Sequence, residues 1–221
     1  MATNTARWAL RKPAAGDAVN AATDLGGPYD IIDGALGSTV CLSSGRPGSP
    51  VQGQVIFETD TRRVWIWSGS VWLNVSDLAA VKTSDKTANA STTLSDDAQL
   101  TLPVLASTTY LIEAFLIYDS ATNADAKFGF TVPASATWQA APFGQGTGAT
   151  VSAGSLETAV STASGIALGG IGAGTKISAL VTGTLVVAGT AGTCALSWAQ
   201  NTSQASNTVL RTGSFLKLTR I

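Results

Sequence analysis

The sequence predicts an all-β protein: an N-terminal extended arm over residues 1–45, a small Trp-rich β-meander over 46–77 and a C-terminal antiparallel jelly-roll sandwich over 78–221. Three observations carry that prediction. Short runs rich in Val, Ile, Thr and aromatic residues recur along the second half of the chain, separated by Gly, Asn, Ser and Thr turns, the spacing of an antiparallel sandwich. Three of the six tryptophans crowd into Gln54–Val75, a module too small to bury them by itself. Charged residues make up 12% of the chain, against about 25% in ordinary soluble domains.

The first thirty residues are irregular. Arg7–Arg11 reads as a short extended segment ended by Pro13, and Asp17–Asp24 as a turn or two of helix with Asp17 at its N-cap, broken by Gly26-Gly27-Pro28. Too few apolar residues are present for this arm to fold alone, and Trp8 is its natural anchor, either into a neighbouring subunit or onto its own chain. Gly45–Pro50 is a turn-rich connector. Val55–Glu58, Arg63–Trp67 and Val71–Val75 then read as three strands joined at Thr59-Asp60-Thr61 and Ser68-Gly69-Ser70. Alternation places Val64 and Ile66 on one face of the second strand and Trp65 and Trp67 on the other, so both faces need cover.

Residues 76–95 are polar and read as a linker, with the domain boundary near Leu78–Lys82. Strands are expected at Gln99–Leu102, Thr108–Tyr118, Lys127–Val132 (ended by Pro133), Lys176–Ala188, Thr193–Gln200, Ser206–Leu210 and Ser214–Arg220. Phe143–Gly174, dense in Gly, Ala and Ser, reads as a long loop with a weak strand or two. Between Lys127 and Arg211 only Glu157 and Lys176 are charged. A compact β domain with a neutral Thr/Ser face would explain this; burial of that surface against identical copies explains it better.

Several kinds of chemistry are disfavoured. The chain contains no histidine, which removes Ser-His-acid triads, histidine bases and histidine metal sites. The close carboxylate pairs, Glu58 with Asp60 and Asp96 with Asp97, sit in turn contexts, so glycoside hydrolysis by paired acids is not expected. Asp119, Asn123 and Asp125 are oxygen donors in one loop, but they lack the glycine and closing glutamate of a calcium loop, and no metal or cofactor is expected. Cys41 and Cys194 are read as two buried thiols, although a disulfide between them is open. The runs Gly144–Gly148 and Gly169–Gly174 neither open a helix nor carry a phosphate-loop lysine. Three Asn-X-Ser sequons (Asn74, Asn89, Asn201) carry no meaning without a secretory signal, and Met1–Lys12 has no apolar core to form one. A net charge of −1 with scattered basic residues argues against nucleic acid, and no uncharged stretch suits a membrane helix. Among the aromatics, Tyr110 and Tyr118 are expected in the core, whereas Trp138 and Phe143 fall in predicted loop and are the candidates for stacking on a sugar.

The meander resembles a segment that recurs in structural and minor tail proteins of tailed bacteriophages: a Pro-rich turn followed by G-x-V-I-F-E-T-D-T-x-R-V-W-x-W-x-G-x-x-W. This chain carries Arg46-Pro47-Gly48-Ser49-Pro50, Gly53–Asp60, Arg63–Trp67 and Gly69–Trp72 in that order. The region from Ala79 onward is similar to the C-terminal sandwich of such proteins, through Thr101-Leu102-Pro103-Val104, Thr109-Tyr110, Glu113 and the ending Ala199–Ser203 with Thr208–Arg220; that sandwich is similar in turn to the trimeric tumour-necrosis-factor and C1q-like jelly rolls. The resemblance implies a non-enzymatic virion component, a homotrimer that meets other virion proteins of the capsid or tail through its N-terminal region. It leaves open a minor tail protein or short fibre and a capsid decoration or head fibre. A module that binds host-surface glycan is the alternative, and a glycan depolymerase is disfavoured.

Overall fold

The computed structural model describes residues 3–4, 11–12, 39–75, 78–147, 156–162 and 165–221. Trp8 and the expected helical turn at Asp17–Asp24 lie outside them. The chain divides into two units, Met1–Ser76 and Asp77–Ile221.

In the first unit, β1 (Thr3–Asn4) and β2 (Arg11–Lys12) form a two-residue antiparallel ladder. The main sheet has four strands, β3 (Thr39–Cys41), β4 (Val55–Glu58), β5 (Arg63–Trp67) and β6 (Trp72–Asn74), in that order. The three-stranded meander is present, and β3 extends it by pairing parallel to β4. The sheet therefore begins before the boundary expected at residue 45; a three-residue strand carries too little alternation to be seen locally. Asp60 ties the β4–β5 turn back to the segment after β3, accepting the Ser43 N–H at 2.9 Å. Arg46, in the Pro-rich connector, lies 4.1 Å over the Trp65 ring and pairs with the buried Glu58, which also accepts from Thr61 Oγ1 at 2.6 Å. Burial alone would raise the Glu58 pKa; the bonds from Arg46 and Thr61 outweigh it and hold the carboxyl below its ordinary value.

The second unit is an all-β antiparallel sandwich of the jelly-roll kind. One sheet runs β13 (Leu156–Glu157), β12 (Thr137–Gln145), β15 (Gly172–Val187) and β10 (Thr108–Ser120). Along the far edge of β10 lie β17 (Thr208–Leu210) and β18 (Phe215–Arg220) in tandem, and beyond them β8 (Lys86–Ala88) and β7 (Leu78–Val81). The other sheet runs β14 (Ile166–Leu168), β11 (Ala126–Thr131), β16 (Gly192–Gln200) and β9 (Ser95–Val104). From β9 to β12 each strand crosses to the opposite sheet, and β14, β15, β16 and β17 alternate in the same way. The chain thus wraps a single core of Tyr110, Ile112, Leu116, Tyr118, Phe128, Leu185, Leu196, Trp198 and Leu210. Tyr110 and Tyr118 are buried as expected, their hydroxyls bonded to the Leu105 N–H and the Gly169 carbonyl.

Three expectations need correction. Residues 76–95 are not a linker: β7 and β8 lie within them and complete the large sheet. Lys82, between those strands, is buried and meets the buried Asp97 of β9 at 2.7 Å. Its polarity made the segment look solvated, whereas its counter-charge sits fifteen residues on. Second, Thr137–Gln145 is a nine-residue strand and not loop. Its Ala, Pro and Gly disguise a period-two pattern. Third, β9 runs on through Pro103, tolerated because β9 is the edge of its sheet.

Candidate functional site

The carboxylates singled out from the sequence are each engaged separately. Glu58 pairs with Arg46, Asp97 with Lys82, and Asp96 accepts from Thr131 Oγ1 at 2.6 Å. Asp119 pairs with Arg211 and accepts the Gly174 N–H at 2.8 Å, while Asp125 accepts the Gly170 N–H at 2.9 Å. Asn123 is exposed in the intervening turn. The loop donors thus point to different partners, and no cluster able to hold a metal ion occurs among the described residues. Burial, only partly offset by the Gly170 bond, raises the Asp125 carboxyl above its usual range; burial and the nearby Asp125 raise Tyr118 likewise. Asp85 moves the other way, to about 2, because the Thr212 N–H and Arg211 bond its carboxylate. Cys41 and Cys194 are free thiols; Cys41 is only half-buried, and burial pushes Cys194 up to about 12.

The glycine run at 169–174 is explained by backbone proximity. A Cβ on Gly170 would lie 2.3 Å from the Ser120 carbonyl oxygen, and one on Gly169 would lie 2.3 Å from that of Gly146. These residues let the strap between β14 and β15 lie against its neighbours, with Tyr118 and Asp125 holding it.

The two aromatic candidates separate cleanly. Trp138 points inward, its ring 5.2 Å from that of Phe130 and edge-on to it, so it is core and unavailable to a sugar. Phe143, five residues on, points outward and is 50% exposed. An odd separation along one strand puts two side chains on opposite faces.

The ladder registers show what surrounds Phe143 on the outer face. Phe143 lies opposite Leu180, Leu180 opposite Phe115, Phe115 opposite Phe215, and Phe215 opposite Val81. These five residues make one apolar ridge across β12, β15, β10, β18 and β7. The Phe115 and Phe215 rings are 5.9 Å apart, and Val81 at the far end is 55% exposed. The next row carries Ala141, Thr182, Glu113, Lys217 and Ala79, with Glu113 facing Lys217 in register. A shallow depression of about 260 Å³ adjoins the ridge, between Leu111, Glu113, Thr182, Gly183 and Thr219. Gly183 has no side chain because a Cβ there would meet the Gln139 carbonyl oxygen at 2.0 Å. The charge-poor stretch of the sequence thus supplies β12 and β15 of a ridged sheet face on which charge is sparse. Sequence reasoning had not gathered Leu180, Phe115, Phe215 and Val81 into one site. The signal available was β10 itself, apolar at nearly every position.

No family model matches this chain, and no curated protein matches it. Among solved structures it is similar to the tripod (BppUct-A-L) from the baseplate of bacteriophage Tuc2009, at 13% identity over 96% of this chain and 98% of that one, with a TM-score of 0.29. It is also similar to structures of infectious bursal disease virus. The Gx strain gives 13% identity over 80% of this chain and 49% of the viral one, with a TM-score of 0.21. The Gt strain gives 10% identity, 79% and 48%, with a TM-score of 0.20. All three scores fall below the level that marks a shared fold.

Proposed function

We propose that this chain is a non-enzymatic structural component of a bacteriophage particle, a short homotrimeric appendage attached to capsid or tail through its N-terminal region and projecting its C-terminal sandwich. The observation that carries this reading is the outer face of the large sheet. Five apolar side chains in register form a ridge that a monomer would leave in water, and two of them, Phe143 and Leu180, come from the part of the sequence most depleted in charge. A patch of this kind marks a protein–protein contact. The phage character and the number three rest on the meander motif and the jelly-roll resemblance given above. The glycan-binding alternative loses Trp138, its leading residue, to the core.

Sedimentation velocity or mass photometry of the purified protein tests the reading. A trimer at micromolar concentration is expected, and a stable monomer there overturns it. Antibody labelling of intact particles then distinguishes head, tail shaft and tail tip.

A further inference from the structure

The two faces of the small sheet in residues 39–75 are chemically unlike. One carries Thr39, Cys41, Ile56, Glu58, Arg63, Trp65, Trp67, Trp72 and Asn74. It has its own internal order: Arg46 lies on Trp65, Trp67 packs on Trp72 at 5.3 Å, and Ile56 and Glu58 are fully buried. The registers place Val40, Phe57 and Val64 in one row of the opposite face, and Val55, Ile66 and Leu73 in the next. All six are apolar. Val40 is 63% exposed, the other five are partly exposed, and Val75, next along the chain, is exposed too.

We propose that this apolar face packs against the same face of other copies of the chain, making residues 39–75 a second self-association element beside that of the sandwich sheet. The face offers no hydrogen-bonding side chain and no charge, so neither a glycan nor a phosphate backbone finds a partner on it, and Arg62, exposed in the β4–β5 turn beside it, is a single charge where an anionic membrane surface calls for a cluster. An apolar surface of this kind complements itself. These partly exposed apolar side chains leave roughly 50 Å² each to cover, on the order of 300 Å² in all against the ~800 Å² per partner of a free-standing interface. Alone the face is too small to hold copies together. Only three residues separate Asn74 at the end of β6 from Leu78 at the start of β7, however. Any assembly of the sandwiches therefore holds the meanders at an effective concentration in the millimolar range, where a contact of this size closes. The inference rests on the trimer reading above.

Photo-cross-linking tests it. The full-length protein carrying benzoylphenylalanine in place of Phe57 is irradiated, and a parallel aliquot goes to sedimentation. Expected is conversion of the monomer band to covalent dimer and trimer, with adducts mapping to residues 39–75 of a second copy. Sedimentation as a trimer without adducts between copies overturns this inference and leaves the trimer reading intact; sedimentation as a monomer overturns both. Adducts confined to the same chain, including its residues 1–38, assign the face to the chain's own arm and also overturn it. If the Phe57 variant does not fold, Val40→Cys in a Cys41→Ser background with a short bismaleimide gives the same readout.

Discussion

Trp138 and Phe143 lie on one strand and on opposite faces of it, so truncating each to alanine separates folding from assembly. Phe143 exposes half of its surface, roughly 100 Å² on the scale of a large aromatic. Covering that area contributes up to about 2.5 kcal/mol per copy at ~25 cal/mol/Å². In a three-fold assembly the loss recurs in every copy, up to about 7 kcal/mol in all, or about five powers of ten in the trimer dissociation constant. Phe143→Ala should therefore leave the unfolding free energy of the isolated monomer within about 0.5 kcal/mol of wild type, as surface substitutions do. The same change should move the concentration of half-dissociation sharply upward.

Trp138→Ala should do the reverse. It empties the space against Phe130 and costs about 3–5 kcal/mol of folding stability, while leaving the outer face unaltered. Sedimentation velocity over a dilution series, paired with urea unfolding at the lowest concentration, reads both quantities. The reasoning fails if Phe143→Ala dissociates at the same concentration as wild type, because the ridge then carries no assembly energy.

Further outcomes follow from the interior. Lys82→Met strands the Asp97 carboxylate in the core and should cost about 3–5 kcal/mol, whereas Lys82→Met with Asp97→Asn should recover most of it, since no buried charge remains; urea titration of the four-member cycle checks this, and a single mutant within about 1 kcal/mol of wild type would contradict it. Gly170→Ala should lower Tm by several degrees, because its Cβ would lie 2.3 Å from a main-chain oxygen, while Gly48→Ala, with nothing within 4 Å, should leave Tm unmoved. The folded state raises the Asp125 pKa, so this group costs stability as pH rises from the unfolded carboxylate value of about 3.9 through the folded one. Asp125→Asn keeps an acceptor for Gly170 and suits the residue's φ of 52°, so it should raise Tm at neutral pH with the gain vanishing in acid. Asp85 has the opposite sign: its folded pKa is lowered to about 2, so its stabilising contribution is complete above about pH 4 and disappears as pH falls toward 2. Asp85→Asn should flatten the acid limb of the melting curve.

The parts of the fold that were legible are those whose signal is local. The strands of the meander, β10, β15 and β16 show alternation or dense β-formers within a few residues, and all appear where the pattern places them. What escaped depends on distant partners. Thr39–Cys41 is a strand because β4 accepts it, and Leu78–Val81 because β18 does. On the outer side of β12, residues 156–161 bond at Ala140 and at Gly144–Gln145 but not at Pro142, and without a full ladder on that side the strand can include a proline and two alanines that score as loop. That misreading also gave Trp138 and Phe143 the same apparent role, since two residues five apart in a loop have no defined faces and in a strand must oppose one another.

Along β10, Tyr110, Ile112, Ala114, Leu116 and Tyr118 fill the core, which accounts for half of the apolar pattern. The other half, Leu111, Phe115 and Ile117, is the kind of sequence found in strands covered on both sides. In this fold the second side faces away from the core, and between Thr109 and Ile117 Glu113 is the one charge among its outward residues on that strand. Alternation of polar and apolar residues would have served a strand with one wet face, and an antiparallel sheet ordinarily shows it. The outer face of β10 lacks that alternation and continues through Leu180, Phe143, Phe215 and Val81 on four other strands. The apolar pattern of β10 is thus written for two partners, and the chain's own core supplies only one of them.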